Sequence, residues 1–389
     1  MNHYCTYFDR SFLLQGLTLA SSLRQHDAES VLWVLCLDDF TADYLTEIGD
    51  DRLRPLPLSA LEAADRELCS VKSRRSPVEY YFTLSPCWPR YLLRKHPEID
   101  RITYVDADMF FFSSPQEIFA EMDTASVLVT EHRYPHHLRH HVRFGNFNVG
   151  LLSFRNDDVG RDCLNWWRLR CLDWCYDRAE NGKYGDQKYL DEWPERYGAR
   201  LCVLQRRGAN LAPWNWSQYR FSFEGDRLLV GGAPLELFHF ARFAALQGTR
   251  LFQSGQLEYG VMPWRIRQWI YGRYWRALQE SRAQVRAARP GFDFAHTSAR
   301  RWHNFWSALL PRIIFGSDWV RIGPVFISGR LSLGQYSGLW LSWLRTGVRQ
   351  PLRRFFAPSA AATDSLSVVP VALERDSEAA FATPPQQGE

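Results

Sequence analysis

The feature that most constrains the fold is the succession of strand, helix and strand in the first 37 residues. Tyr4 to Phe8 reads as a short buried strand, and Ser11 to Gln25 as a helix whose Leu14, Leu17 and Leu23 recur at helical spacing. Val31 to Leu37 (VLWVLCL) is apolar without interruption, the mark of a strand covered on both faces. Such a unit opens a parallel α/β sheet. Further strands are expected at Arg101–Val105, Ala125–Thr130, Val149–Phe154, Arg227–Gly231 and Leu235–His239, with helices at Tyr80–Lys95 and Asp162–Asp177. The chain has 389 residues and 46% hydrophobic content, enough for one large domain or two small ones around a substantial core.

Residues 101–114 read RITYVDADMFFFSS, a strand that runs into two aspartates one residue apart. Side chains alternate along extended backbone, so Asp106 and Asp108 point the same way where the strand enters its loop. Two hard carboxylates in that place suit an oxygen-loving divalent cation, Mn²⁺ or Mg²⁺, held against a diphosphate. Without the cation they would repel the anion. A lone Asp-x-Asp is also what a capping or solvated turn looks like. At the end of the first strand Thr6, Tyr7 and Asp9 fall in the crevice at the carboxyl edge of the sheet, where nucleotides lodge in open α/β folds. Tyr7 there would either meet a base or pack the sheet edge.

The order YVDADM, then FNVG at Phe147 to Gly150, GDQKYL at Gly185 to Leu190, and His239-Phe240 resembles the retaining GT-A glycosyltransferases. The likeness is to the family 8-like group that includes glycogenin and the bacterial lipopolysaccharide glucosyl- and galactosyltransferases, and it spans roughly residues 3 to 245. It implies a nucleotide-diphospho-sugar transferase fold, a Rossmann-like mixed sheet flanked by helices. It makes Asp108 and Asp106 metal ligands, Asp106 also reaching the ribose, and His239 the third protein ligand. Asn148 would serve a sugar hydroxyl. Asp186 would hydrogen-bond the donor sugar, and Gln187 would sit by the anomeric centre. Asn210 and Trp214-Asn215-Trp216 would shape the acceptor side. Two positions depart from the family. Its arginine after paired tyrosines is Phe82 here, leaving Lys72, Arg74 or Arg75 to reach the diphosphate; its glycine and lysine after the histidine are replaced by a segment whose cations are Arg242 and Arg250.

Net charge is +4, but the charges are unevenly spread. Residues 1–258 carry 30 Lys and Arg against 35 Asp and Glu, residues 259–356 carry 16 arginines against 3 acids, and residues 357–389 carry 1 against 5. Three parts are therefore expected: a transferase domain over 1–258, a basic aromatic helical extension over 259–356 and a disordered acidic tail over 357–389. In the extension Ile266, Trp269, Ile270, Tyr274, Ala277, Leu278 and Val285 form one stripe, followed by a second amphipathic segment at Trp302 to Leu310. The stripe suits either an anionic membrane surface or packing on protein. The longest uncharged run there, Leu331 to Leu344, is too short to span a bilayer.

The eight cysteines contain no C-x-x-C pair and are expected to be reduced, in a cytoplasmic protein with peripheral membrane contact at most. His132, His136, His137, His140 and His141 have partial metal spacing, but a surface loop or lid explains them equally. The activity expected is transfer of a hexose from a nucleoside diphosphate sugar, UDP foremost, to a glycan or lipid-linked acceptor. A sugar-phosphate nucleotidyltransferase is the rival; it would need a glycine- and basic-rich loop where this chain reads TYFDRSF. A non-catalytic carbohydrate-binding or scaffold protein on the same fold is the other.

Overall fold

A computed structural model of the chain describes residues 1–245, 252–254, 259–260 and 262–293. A seven-stranded mixed sheet forms its centre. In chain order its elements are β1 (His3–Phe8), α1 (Leu13–His26), β2 (Val31–Cys36), α2 (Asp39–Ile48), β3 (Leu53–Pro57), α3 (Leu58–Ala64), α4 (Arg66–Val71), α5 (Pro77–Lys95) and β4 (Arg101–Val105). There follow β5 (Met109–Phe111), α6 (Gln116–Met122), β6 (Val127–Glu131), β7 (Phe147–Arg155), α7 (Asp158–Asp173), α8 (Trp193–Tyr197) and β8 (Leu201–Val203). The last part comprises β9 (Phe221–Glu224), β10 (Arg227–Val230), β11 (Ala233–Pro234), β12 (Leu237–His239), β13 (Phe243–Ala245), β14 (Phe252–Ser254) and α9 (Trp264–Ala288).

The sheet order is β3-β2-β1-β4-β7-β6-β8. Strands β3, β2, β1 and β4 run parallel, so their carboxyl ends share one edge; β7 is antiparallel to both of its neighbours. This is the flanked mixed sheet expected from the sequence. Against one face lie α3, α4, α5 and α7, whose core contains the fully buried Trp88, Trp167 and Trp193. Truncating a ring of that size to alanine costs about 3–5 kcal/mol. Helix α5 is started by a capping box in which Ser76 and Glu79 serve each other's backbone N–H, with Pro77 in the first turn.

The other face is covered by α1, α2, α6 and α9. Helix α9 carries the stripe anticipated from its spacing: Ile266, Ile270, Tyr274, Leu278 and Val285 are buried, and Trp269 and Ala277 pack partly buried at its margin. They enter the same core as α1, where Thr18 Oγ1 and Ser281 Oγ lie 3.0 Å apart. The described start of the basic extension thus packs on the sheet domain itself. Trp302 to Leu310, Leu331 to Leu344, Arg250 and the acidic tail lie outside the described residues. No described helix is long and apolar enough to cross a membrane. All eight cysteines are free thiols.

Candidate active site

The carboxyl edge of the parallel strands opens into a cleft of about 200 Å³. Asp106 and Asp108 stand on its floor, in the turn where β4 leaves the sheet. The Asp106 N–H donates to the Gly150 carbonyl at 3.0 Å, and the Met109 N–H donates to the Asp106 carbonyl at 3.1 Å, fixing the turn. The chain then forms β5, which pairs antiparallel with β12 and sets His239 opposite Met109. The Phe240 N–H donates to the Asp108 carbonyl at 2.9 Å and closes this ribbon. Residues far apart in sequence thereby become neighbours: His239 Nε2 lies 3.1 Å from Asp108 Oδ1 and 3.7 Å from Asp106 Oδ2.

Gly150 makes room for the imidazole. A Cβ there would come within 2.7 Å of Asn148 Oδ1 and 2.8 Å of His239 Nδ1. Asn148 accepts the Gly150 N–H at 3.0 Å and lies 3.3 Å from His132 Nε2, so its amide orders the strand beside the histidine. On the other side, Tyr104 donates to Asp106 Oδ1 at 2.7 Å, and Tyr7 Oη lies 3.1 Å from Ser85 Oγ. Burial pushes the Asp106 carboxyl up, although the histidine charge opposes this. Burial lowers His239, but Asp108 and Asp106 outweigh it and leave the imidazole raised.

Two carboxylate oxygens and an imidazole nitrogen converge within 4.8 Å, the one such group among the described residues. A proton on His239 Nε2 bridges it to Asp108 when no ion is bound, and with that proton released the two carboxylates and the imidazole form a hard-to-borderline donor set that fits a divalent cation. The histidines of residues 132–141 do not gather into a second group. His136 to Phe144 form a 3-10 turn in which His136, His137 and His140 face solvent. His132 and His141 turn inward, where burial pushes them down to about 3 and about 4, so both are neutral.

Across the cleft, Asp186 is 6% exposed and its carboxyl is pushed up to about 7, chiefly by burial. It follows Gly185, whose φ of +48° suits glycine and whose missing Cβ leaves space for the Phe82 ring. The Gln187 Nε2 donates to the Phe144 carbonyl at 3.0 Å. A carbonyl can only accept, so this bond identifies the NH₂ end of the amide and turns Oε1 away from Phe144. Tyr7, Asp9, Asn148, Asp186 and Gln187 all line the cleft with the three metal-ligand candidates.

Two anticipated residues are placed elsewhere. Thr6 is fully buried, since alternation along β1 sends its side chain to the face opposite Tyr7. Lys72 does not reach the cleft: a 3-10 turn points it at Glu62, with Nζ to Oε1 at 2.7 Å. Nor is Arg75 a substitute, because its guanidinium donates to the Cys171 and Leu172 carbonyls near the end of α7. Asn210 and Asn215 are buried and bond within the domain, Asn210 to Thr130 and Asn215 to the His132 carbonyl; of that group only Trp214 lines the cleft.

Several lining residues escaped the sequence reading. Ser85 stands one helical turn after Phe82 on α5, and Tyr104 lies two residues before Asp106 on the same side of β4; both periodicities were available signals. Tyr134 and Tyr259 join the anticipated His141 and Trp214 in an aromatic wall whose members come from three separate stretches of chain, so the wall has no local signature.

No model of a described protein family matches the chain. Among solved structures it is similar to the galactosyltransferase LgtC in complex with donor and acceptor sugar analogs (14% identity, 61% of this chain and 86% of that one, TM-score 0.44). Another is the apo form of mouse xyloside xylosyltransferase 1 (16% identity, 61% and 97%, TM-score 0.40). In sequence it is similar to two uncharacterized proteins of Bacillus subtilis. YfnF is 34% identical over 268 residues, covering 67% of this chain and 88% of its own. YfnD is 32% identical over 281 residues, covering 69% and 89%. With about a third of aligned positions shared across nearly nine-tenths of each relative, this chain belongs to the family of YfnF and YfnD.

Proposed function

We propose that the protein is a metal-dependent glycosyltransferase that moves a hexose from a nucleoside diphosphate sugar, UDP-linked foremost, to a hydroxyl of a glycan or lipid-linked acceptor with retention. The observation that carries this reading is the convergence of Asp106, Asp108 and His239 in a cleft that Asp186 and Gln187 also line. The motif order shared with retaining GT-A enzymes supports it independently. A nucleotidyltransferase is less favoured, because the turn after β1 offers Asp9 to the cleft instead of a glycine-rich phosphate cradle.

A divalent cation held by Asp106, Asp108 and His239 would neutralise the charge that builds on the departing diphosphate. The remaining work falls to this chain's own groups. Tyr7, which lines the cleft beside Tyr104, offers a ring face to the base. Asp186, buried and titrating near neutrality, exchanges a hydrogen bond with a donor-sugar hydroxyl in either protonation state. Gln187 turns its Oε1 toward the anomeric centre, where a carbonyl dipole stabilises developing positive charge. An amide is too weak a nucleophile for a covalent intermediate. The bond from the anomeric carbon to the phosphate oxygen therefore breaks as the acceptor oxygen attacks on the same face, and the acceptor's proton passes to the leaving phosphate. Aromatic residues around the cleft limit access of water to the separating pair. The arginines of residues 259–356 would keep the enzyme near lipid-bound acceptors on an anionic membrane face.

A thermal-shift screen of nucleotide sugars with and without Mn²⁺ tests the donor. A metal-dependent rise in melting temperature with UDP sugars is the expected result. Absence of any shift at saturating UDP sugar and metal would dispose of the donor class. Turnover by the wild type that Asp108→Ala retains would instead point away from the metal.

A further inference from the structure

We infer that the hydroxyls of Tyr104, Tyr7 and Ser85 form a relay from Asp106 to Asp186 that makes Asp186 a hydrogen-bond donor to Ser85, so that it meets the donor sugar only as an acceptor; the sugar contact rests on the donor reading above. The links come from β4, β1 and α5, which the fold brings together at one sheet edge. Tyr104 donates to Asp106 Oδ1 at 2.7 Å. Tyr7 is hydrogen-bonded to Tyr104, with their ring centres 5.8 Å apart. Tyr7 Oη lies 3.1 Å from Ser85 Oγ, and Ser85 is hydrogen-bonded to the Asp186 carboxyl. Tyr104, Ser85 and Asp186 are all buried.

Counting hydrogens fixes the direction of the relay. A carboxylate can only accept, and each hydroxyl has one hydrogen to give. Asp106, beside the His239 imidazole, takes the hydrogen of Tyr104. Tyr104 then has none left for Tyr7, so Tyr7 donates to Tyr104. By the same count Ser85 donates to Tyr7, and the bond between Ser85 and Asp186 has to be supplied by the acid. Four hydrogen bonds join these groups and three hydroxyls serve them, so the fourth hydrogen belongs to Asp186. The surroundings agree: burial, the main influence, and the Asp106 charge lift this acid to about 7 against its own N–H, that of Gln187 and any hydrogen from Ser85. An acid that gives its hydrogen to Ser85 has only lone pairs for a substrate, so the sugar hydroxyl it meets must donate. Tyr104 and Ser85 act through Asp186 and are positioning residues; Tyr7 adds this role to its ring face.

Infrared difference spectroscopy of the ligand-free, full-length protein at about pH 6, below the value of Asp186, reads the relay directly. The wild type should show the C=O stretch of a protonated carboxyl that Asp186→Asn lacks. Tyr7→Phe and Tyr104→Phe keep their rings, but each frees Ser85 to give its hydrogen to Asp186, so the band should fall to about half or less. Absence of an Asp186-dependent band in the wild type, or a band undiminished in both phenylalanine variants, would overturn the relay. Titration calorimetry with Mn²⁺ reads the sugar contact, using UDP-glucose or UDP-galactose, whichever the wild type binds more tightly. Ser85→Ala should weaken that sugar nucleotide about 5-fold or more, and UDP itself by less than about 2-fold. Equal losses for both would overturn the sugar contact, because a merely structural role moves them together. Failure of the wild type to bind Mn²⁺ and UDP would overturn the donor reading, with the relay still decided by its infrared band.

Discussion

Two clusters of buried charge sit on opposite sides of α5, and they are compensated in opposite ways. Behind the sheet, Asp65 caps α4 by accepting the Leu68 N–H at 3.1 Å and receives both Nε and Nη2 of Arg168 from α7. Arg168 also donates to Glu67 at 2.8 Å. Every charge there has a counter-charge from the chain. At the sheet edge Asp106 and Asp108 share a single imidazole, with a tyrosine hydroxyl on Asp106, and Asp186 is held by a hydrogen bond with Ser85. Buried carboxylates that outnumber the positive charge beside them are destabilising, and a chain that leaves them so has left room for a ligand to complete them.

The widest separation between the clusters should appear in activity. Asp108→Ala is expected to lower nucleotide-sugar turnover by about 10²–10³-fold, the scale of losing one electrostatic contact to a developing charge. Its urea denaturation midpoint should shift far less, since the His239 imidazole that loses this partner can become neutral by releasing a proton. Asp65→Ala should do the reverse, leaving Arg168 buried and costing about 3–5 kcal/mol of stability by the same denaturation. Equal destabilisation by both variants would break the comparison.

Next in size is the response to ligands. Mn²⁺ with UDP at about a hundredfold their dissociation constants should stabilise the wild type by roughly 2.7 kcal/mol. Asp65→Ala should show the same increment from a lower baseline, and Asp108→Ala almost none, as read by differential scanning calorimetry.

The clusters also differ in pH dependence, where they have opposite signs. Burial alone would raise Asp65, but the Arg168 and Leu68 hydrogen bonds win and hold it below the usual carboxylate range. Its contribution is therefore complete above about pH 4 and lost as the pH falls through its depressed value. Asp186, pushed up to about 7 chiefly by burial, binds a proton in the folded state that the unfolded chain releases near pH 4. Stability should decline between about pH 4 and 7 by up to about 1.4 kcal/mol per unit from this group, and Asp186→Asn should flatten that slope. A slope unaltered in Asp186→Asn would mean that Asp186 carries no such proton.

What the amino-acid order reveals, and what it hides, follows from how local each interaction is. The Asp106 and Asp108 pair was legible because strand alternation is a nearest-neighbour rule. The buried stripe on α9 was legible from helical spacing, but its destination against α1 was not, since nothing in residues 264–288 encodes a partner more than 200 positions earlier. His239 entered through family resemblance alone, because the β5 and β12 pairing that delivers it is set by the whole domain. Lys72 misled for the same reason: sequence proximity to the cleft helix said nothing of Glu62 beside it.

The two-stranded ribbon of β5 and β12 has a consequence for biosynthesis. Asp106 and Asp108 leave the ribosome long before His239, and their third companion cannot arrive until the returning strand zips alongside Met109 to Phe111. A nascent polypeptide therefore holds only two of the three candidate ligands, and firm capture of an ion at this cluster would be a signature of a chain that has finished folding its sheet domain.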